Sequence, residues 1–313
     1  MTTNTESSTD RARPRITLGT APDSWGVWFP DDPNQTPWQR FLDELVEAGY
    51  QWLELGPYGY LPTDPARLRE ELERRGLKVS GQAASAGLHH AERWPADLAA
   101  ARRVAELVVA LGGRYLVGLP ELYTDLEGRL LEDPELDSSA WRTLVHAMSQ
   151  LGRILKEEYG LTLVFHPHAD SHVGTQPQVE RLLEETDPAT VSLCLDTGHI
   201  SYYDSDNVEL IRTYPGRIGY LHIKQVDPTI LKQVREEGLG FAEAVRRGVM
   251  CEPPNGVPAV EPILDALDQV DADLFMIVEQ DLYPCGPDVP LPIAVRTRSY
   301  LNGCGVGPMP GNR

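Results

Sequence analysis

The octet LCLDTGHI, residues 193–200, carries the reading of the fold. Leu193, Cys194 and Leu195 form an apolar run that stops on Asp196, and an imidazole, His199, follows three residues later. One explanation is local: a buried strand ends in a polar turn, and Asp196 caps the next helix by accepting from its free N–H groups. The other is collective. In an α/β barrel the chemistry is built from side chains at the C-terminal ends of parallel strands, and Asp196 would be one of several.

Working outward from the octet, short β-rich runs alternate with amphipathic stretches. ITLGT is followed by the helical PWQRFLDELVEAGY, QWLELG by DPARLREELERRG, LKVSGQ by PADLAAARRVAELVVALG, and RYLVGL by a helix over about 138–159. LTLVFH, VSLCLD, IGYLHI and LFMIVEQ continue the series, each with a helical partner. Eight strands, several apolar nearly throughout as buried parallel strands are, predict a single-domain (β/α)8 TIM barrel. A doubly wound sheet is the alternative, but no GxGxxG follows the first strand. The barrel is expected over residues 15–304, with a disordered polar tail over 1–14 and a C-terminal tail over 305–313. Two long connections, 119–137 and 224–259, are expected to shape the active face.

Composition narrows the function classes. With 28 Lys+Arg against 47 Asp+Glu in 313 residues, the formal charge is -19. That repels phosphate backbones and anionic lipid, so nucleic-acid and membrane partners are not expected. No apolar run reaches the roughly 20 residues of a membrane span. Cys194, Cys251, Cys285 and Cys304 lack CxxC spacing, which argues against a zinc ribbon or disulfide scaffold and fits a cytoplasmic protein. A homo-oligomer is left open.

The predicted strand ends carry Glu54, Gln82, His166 and His168, Asp196, His222, and Glu279 with Gln280. A single such residue is readily explained as a hydrogen-bonded structural group. Asp196, His222 and Glu279 close three consecutive strands, however, and three converging polar groups are costly to bury without a shared partner. A divalent cation supplies one. Oxygen and imidazole donors without thiolate suit Mn, Mg, Co, Fe or Zn, which would polarise a substrate carbonyl or hydroxyl. Lys224, His166 and His199 are the expected proton-transfer or enediolate-stabilising groups; the plain alternative for Lys224 is a snorkelling surface lysine. Trp25, Trp28 and Phe29, with Tyr58 and Tyr60, follow the first two strands and offer ring faces to sugar C–H surfaces, or simply pack on each other. Trp25, Glu54, Tyr58 and Gln82 are the expected substrate contacts. MCEPPNGVP is expected to fold over the mouth as a lid with a tight turn at Gly256, and Arg246, Arg247 and Arg296 are candidates for an acidic substrate group, although a non-phosphorylated substrate is favoured.

With these motifs in view, LDTGH, LHIKQVD and IVEQD resemble the closing strands of the xylose-isomerase-like sugar phosphate isomerase/epimerase superfamily. APDSW, AGYQWLELG, HPHADSHVGT and NGVPAVEPILDAL, taken in order, most resemble the inosose (2-keto-myo-inositol) dehydratases within it. The resemblance runs from about Thr20 to Gly303. It implies a metal-dependent enzyme acting on a small polyhydroxylated keto compound, with Asp196, His222 and Glu279 matching three of four metal ligands. Many members carry a glutamate at the end of the fifth strand, where this chain has Val164 and Phe165. The fourth ligand is then His168, which lies nearer the strand end, or Gln176; His166 matches a histidine near substrate. Manganese is the first expectation for the metal. Dehydration, epimerisation or isomerisation, and β-elimination from a 3-keto glycoside share the enediolate and stay open. The superfamily's endonucleases are disfavoured by the acidity. A non-catalytic sugar-binding barrel is the alternative of a different class, and it predicts no metal.

Overall fold

A computed structural model describes residues 15–307; the expected tail over 1–14 and residues 308–313 lie outside the described residues. The strands are β1 (Ile16–Thr20), β2 (Trp52–Glu54), β3 (Lys78–Ala86), β4 (Tyr115–Pro120), β5 (Thr162–Phe165), β6 (Val191–Asp196), β7 (Ile218–Ile223), β8 (Gln225–Val226), β9 (Met250–Cys251) and β10 (Leu274–Val278). Eight of them close a parallel barrel in the order β1-β10-β7-β6-β5-β4-β3-β2. β8 and β9 form a separate antiparallel pair within the 224–259 excursion. The fold is the TIM barrel expected. No helix among the described residues is long and apolar enough to cross a membrane.

The two-residue period of a strand sorts its side chains. Leu193, Leu195, Leu221, Ile223, Leu163, Phe165, Met276 and Val278 all belong to the large core between barrel and helices. Their neighbours Val164, Cys194, Tyr220, Phe275 and Ile277 form a smaller cluster inside the barrel. There the Tyr220 ring lies 5.1 Å from Tyr115 and 6.0 Å from Phe275, and the Tyr220 hydroxyl is 2.7 Å from Ser80 Oγ. These rings form the floor of the site. One inward step further along the same strands come His166, Asp196, His222 and Glu279.

The excursion is more ordered in sequence than a loop. Asp227 accepts from Thr229 and Ile230 N–H at 2.8 and 3.0 Å, Pro228 occupies the first turn, and Gly238 at φ 64° ends the helix Pro228–Glu237. A second helix, Phe241–Arg246, follows. MCEPPNGVP does not close over the mouth: Gly256 lies so near Val226 that a Cβ would strike its carbonyl, and the segment packs there, while Phe241 and Ala242 reach the cavity instead. Val306 is buried in the main core and Gly307 lies against Leu18.

Candidate metal centre and active site

Both readings of Asp196 hold. Its Oδ1 accepts from the N–H groups of Gly198 and His199 at 2.9 and 2.8 Å, capping the helix Thr197–Tyr202, while its Oδ2 faces the barrel axis. Around Oδ2 stand His166 Nε2 at 3.2 Å, His222 Nδ1 at 3.7 Å and Lys224 Nζ at 3.3 Å. Glu279 Oε2 completes the group, 2.7 Å from His222 Nδ1 and 3.9 Å from His166 Nε2. One donor atom from each of His166, Asp196, His222 and Glu279 lies within 4.8 Å of every other. Ligands bound at about 2.0–2.2 Å to one cation stand roughly 3.0–3.5 Å apart, so the spacing suits a shared ion.

The orientation of His222 supports the fit. Glu54 Oε2 lies 2.9 Å from Nε2, so Nε2–H donates to the carboxylate and Nδ1 is turned inward, where a cation would replace its proton. Nδ1 makes no aligned hydrogen bond despite its closeness to Glu279. Two imidazoles and two carboxylates form a borderline donor set without thiolate.

Lys224 is fully buried rather than snorkelling. A Cβ at position 198 would overlap its Cγ and Cδ, so Gly198 gives the chain passage. Its Nζ donates to Asp281 Oδ2 at 2.8 Å and to Glu279 Oε2 at 3.3 Å. Burial opposes its charge, but Asp196, Asp281 and Glu279 outweigh it and hold Lys224 well above the usual lysine value. Burial likewise disfavours the carboxylates, yet Lys224 and His166 hold Asp196 low, and His222 and Lys224 hold Glu279 low.

These groups open on a cavity of about 960 Å³, within the range of small-molecule sites. Glu54, His166, His168, Lys224 and Glu279 line it on one side. Trp28, Phe29 and Tyr58 line it too; Trp28 Nε1 donates to Asp281 Oδ1 at 3.2 Å and its ring lies 5.0 Å from Tyr283. Two carboxyls absent from the sequence reading also reach it, Asp23 and Asp281. Asp23 is half-buried, but both its carboxyl oxygens are buried and neither is hydrogen-bonded, and burial, reinforced by Glu279, raises its pKa well above the ordinary value. Asp281 shares the inward parity of Glu279 two residues earlier, which is a signal the sequence did offer.

Other expected site residues sit elsewhere. His166, not His168, takes the fourth corner, because residue 166 continues the inward parity of Val164 on β5. His168 stands beyond the strand end with Nδ1 2.7 Å from the Ala169 carbonyl, so that nitrogen carries the proton, and burial lowers its pKa to about 3. Gln176 begins the helix Gln176–Glu185 and bonds Glu180 and the Asp206 N–H, away from the cluster. His199 lies one layer behind the cavity, its ring 3.8 Å from His168, its Nδ1 accepting from Ala169 N–H and its Nε2 3.3 Å from Lys224 Nζ. Trp25 belongs to the core: Nε1 donates to Glu44 at 2.8 Å and the ring meets Phe41 at 5.0 Å. Tyr60 is also core, bonded to the Thr36 carbonyl. Gln82 is buried and donates to the Gly56 carbonyl at 3.2 Å, supporting the turn that carries Tyr58. Arg246, Arg247 and Arg296 pair with Glu243, Glu237 and Glu252 outside the cavity.

A closed parallel barrel with a mixed imidazole–carboxylate cluster at its strand ends defines a TIM barrel with a candidate metal site. The sequence model described as the xylose isomerase-like TIM barrel matches residues 42–292, and the chain belongs to that family. It is 32% identical over 296 residues to the inosose dehydratase of Halalkalibacterium halodurans, covering 92% of this chain and 94% of that protein. It is 28% identical over 300 residues to the inosose dehydratase of Geobacillus thermodenitrificans, covering 93% and 98%. Among solved structures it resembles the IolI protein with a bound zinc atom, at TM-score 0.68 and 17% identity over 91% of this chain and 97% of that one, a likeness of fold.

Proposed function

We propose that this protein is a metal-dependent lyase that dehydrates a ketocyclitol of the 2-keto-myo-inositol class by way of proton loss beside the carbonyl. The observation that carries the reading is the meeting of four convergent donors, a buried lysine and two further carboxyls on one cavity. The relatives named inosose dehydratase support the substrate class.

His166, Asp196, His222 and Glu279 would hold a divalent cation, with manganese our first choice given the two carboxylates. When bound, the cation polarises a substrate carbonyl and so lowers the cost of removing the neighbouring proton. Glu54 fixes the orientation of His222. The Asp281 carboxylate, 2.8 Å from Lys224 Nζ, takes the α proton, and the charged Lys224 remains beside the negative charge that develops. Asp23, whose carboxyl oxygens have no hydrogen-bond partner in the protein, delivers a proton to the departing hydroxyl, so the base gains one proton, the acid loses one, and water leaves. His199 stands behind Lys224 as a positioning residue. Trp28 and Tyr58 present ring faces to the C–H side of the ring. The four cysteines are free thiols, in keeping with a reducing cytoplasm.

The test is incubation of the metal-loaded protein with 2-keto-myo-inositol in deuterated water. An absorbing conjugated product is expected, carrying deuterium at the carbon that lost its hydroxyl once the enol ketonises, with any α label confined to recovered substrate, and Lys224→Met should slow its formation by about 100-fold or more while the metal stays bound. Label without the absorbing product would make the protein an epimerase or isomerase instead. Absence of label from any of a panel of ketocyclitols, ketoses and 3-keto glycosides would remove the enolisation reading.

A further inference from the structure

A second imidazole–carboxylate cluster lies on the loops above β3, β4 and β5. His89 and His90 belong to the turn after β3, where the His90 N–H donates to the Gly87 carbonyl at 2.9 Å. Side chains of adjacent residues ordinarily diverge. Here the turn brings the two rings within 4.0 Å, and both Nε2 atoms address one carboxylate: Glu132 Oε2 lies 2.8 Å from His89 and Oε1 2.9 Å from His90. Glu132 arrives from the separate connection over 119–137. A third imidazole, His172 from the loop after β5, packs 4.5 Å from the His89 ring and donates from Nε2 to the Asp133 carbonyl at 3.0 Å, which fixes the backbone beside Glu132.

We propose that His89 Nε2, His90 Nε2 and Glu132 form a second cation site, taking Zn²⁺ or a borderline ion of similar size such as Co²⁺. The candidate donor atoms lie within 4.8 Å of one another. Two imidazoles and one glutamate are the protein donors of an open tetrahedral zinc site, in which water or a ligand occupies the remaining position. Access is available, because the His90 and Glu132 side chains are 31% and 36% exposed while His89 is buried. The ion would displace the protons now shared between the rings and the carboxylate. His172 acts through Asp133 and is a positioning residue.

The site has a consequence for the cavity. Glu132 and Leu131 line it, as do Glu121 and Leu122 on the same connection. A cation at Glu132 would fasten that connection to the turn after β3 and set the width of the mouth. It would also place positive charge at the rim of a protein whose formal charge is -19, where an anionic or hydroxyl-rich substituent of a ligand could complete the coordination. The inference is independent of the reaction proposed above, since the donors differ from those of the central cluster.

The experiment uses the full chain stripped of metal and titrated with Co²⁺, with elemental analysis of zinc-loaded protein after gel filtration. Wild type is expected to bind two equivalents, the second giving its own visible absorption band. His90→Ala and the isosteric Glu132→Gln should each weaken the second equivalent by about 100-fold or more and leave the first, whereas Asp196→Ala should lose the first and keep the second. Wild type binding one equivalent at tenfold excess metal, with that equivalent lost in Asp196→Ala, would overturn the proposal. So would a second equivalent that survives both His90→Ala and Glu132→Gln, because the ion would then be bound elsewhere. Glu132→Gln keeps the test decisive if His90→Ala fails to fold.

Discussion

The two sides of the cavity are built on opposite principles. The side formed by the ends of β5, β6, β7 and β10 carries His166, Asp196, His222, Lys224 and Glu279, all buried or nearly so and each touching another. The side formed by β3 and β4 ends in Ala83, Ala84, Ser85, Leu119 and Pro120, which also line the cavity. Charge is tolerated at the first because every group has an oppositely charged or hydrogen-bonding neighbour at close range. Small side chains at the second leave room for a ligand. One side is organised for chemistry and the other for space, so substitutions on each should fail in different ways.

The largest expected effect is on the charged side. His166→Ala should weaken metal binding by about 100-fold or more, and Glu54→Gln, which only loosens the orientation of His222, by about 10- to 100-fold. His168→Ala should keep the metal, as elemental analysis of the three purified variants would show. Loss of metal in His168→Ala with retention in His166→Ala would exchange their roles.

A smaller and different effect is expected on the small-residue side. Ala83→Leu places a larger side chain in the cavity, and an over-filled site costs about 1–3 kcal/mol. Steady-state kinetics should show KM raised by about tenfold with metal content unchanged, and metal loss there would erase the distinction between the two sides.

The smallest effect concerns the end of the 119–137 connection. Asp137 caps the helix Ser138–Ile154, accepting from Ser139 and Ala140 N–H at 2.7 and 2.8 Å, and the Ala140 and Ser139 bonds lower its pKa. A carboxylate with a lowered folded pKa adds stability that is present above its unfolded value of about 3.9 and lost as pH falls through the folded one. Asp137→Ala should therefore lower the melting temperature modestly at pH 7, and the gap to wild type should close on acidification below about pH 4. A gap unchanged at low pH would show that the cap contributes no charge-dependent stability.

Much of the charged side was legible because its residues end apolar runs. Asp196, His222, Lys224 and Glu279 stand where the hydrophobic pattern stops, and the barrel rule assigns such positions to one face. Strand parity separates His166 from His168: Leu163 and Phe165 face the helices, so Val164 and His166 face inward. Asp281 follows by the same parity from Glu279. Trp25 was less legible. An aromatic in a loop after a strand can turn to the cavity or to the core, and here Glu44 and Phe41 on the helix Trp38–Glu47 receive it in the core. Asp23 gave no signal, since a carboxyl without partners looks the same in sequence as one with several.

By itself the sequence determined the barrel and the identity of most groups near its axis, because strand count, apolar runs and the two-residue period are local properties of the chain. Tertiary structure decided which atoms meet. The 2.9 Å contact of Glu54 with His222 spans 168 positions, and that of Glu132 with His90 joins two separate loops. Pairings of that kind depend on how strands close and loops cross, and side-chain direction over such separations is fixed only once the whole barrel is packed.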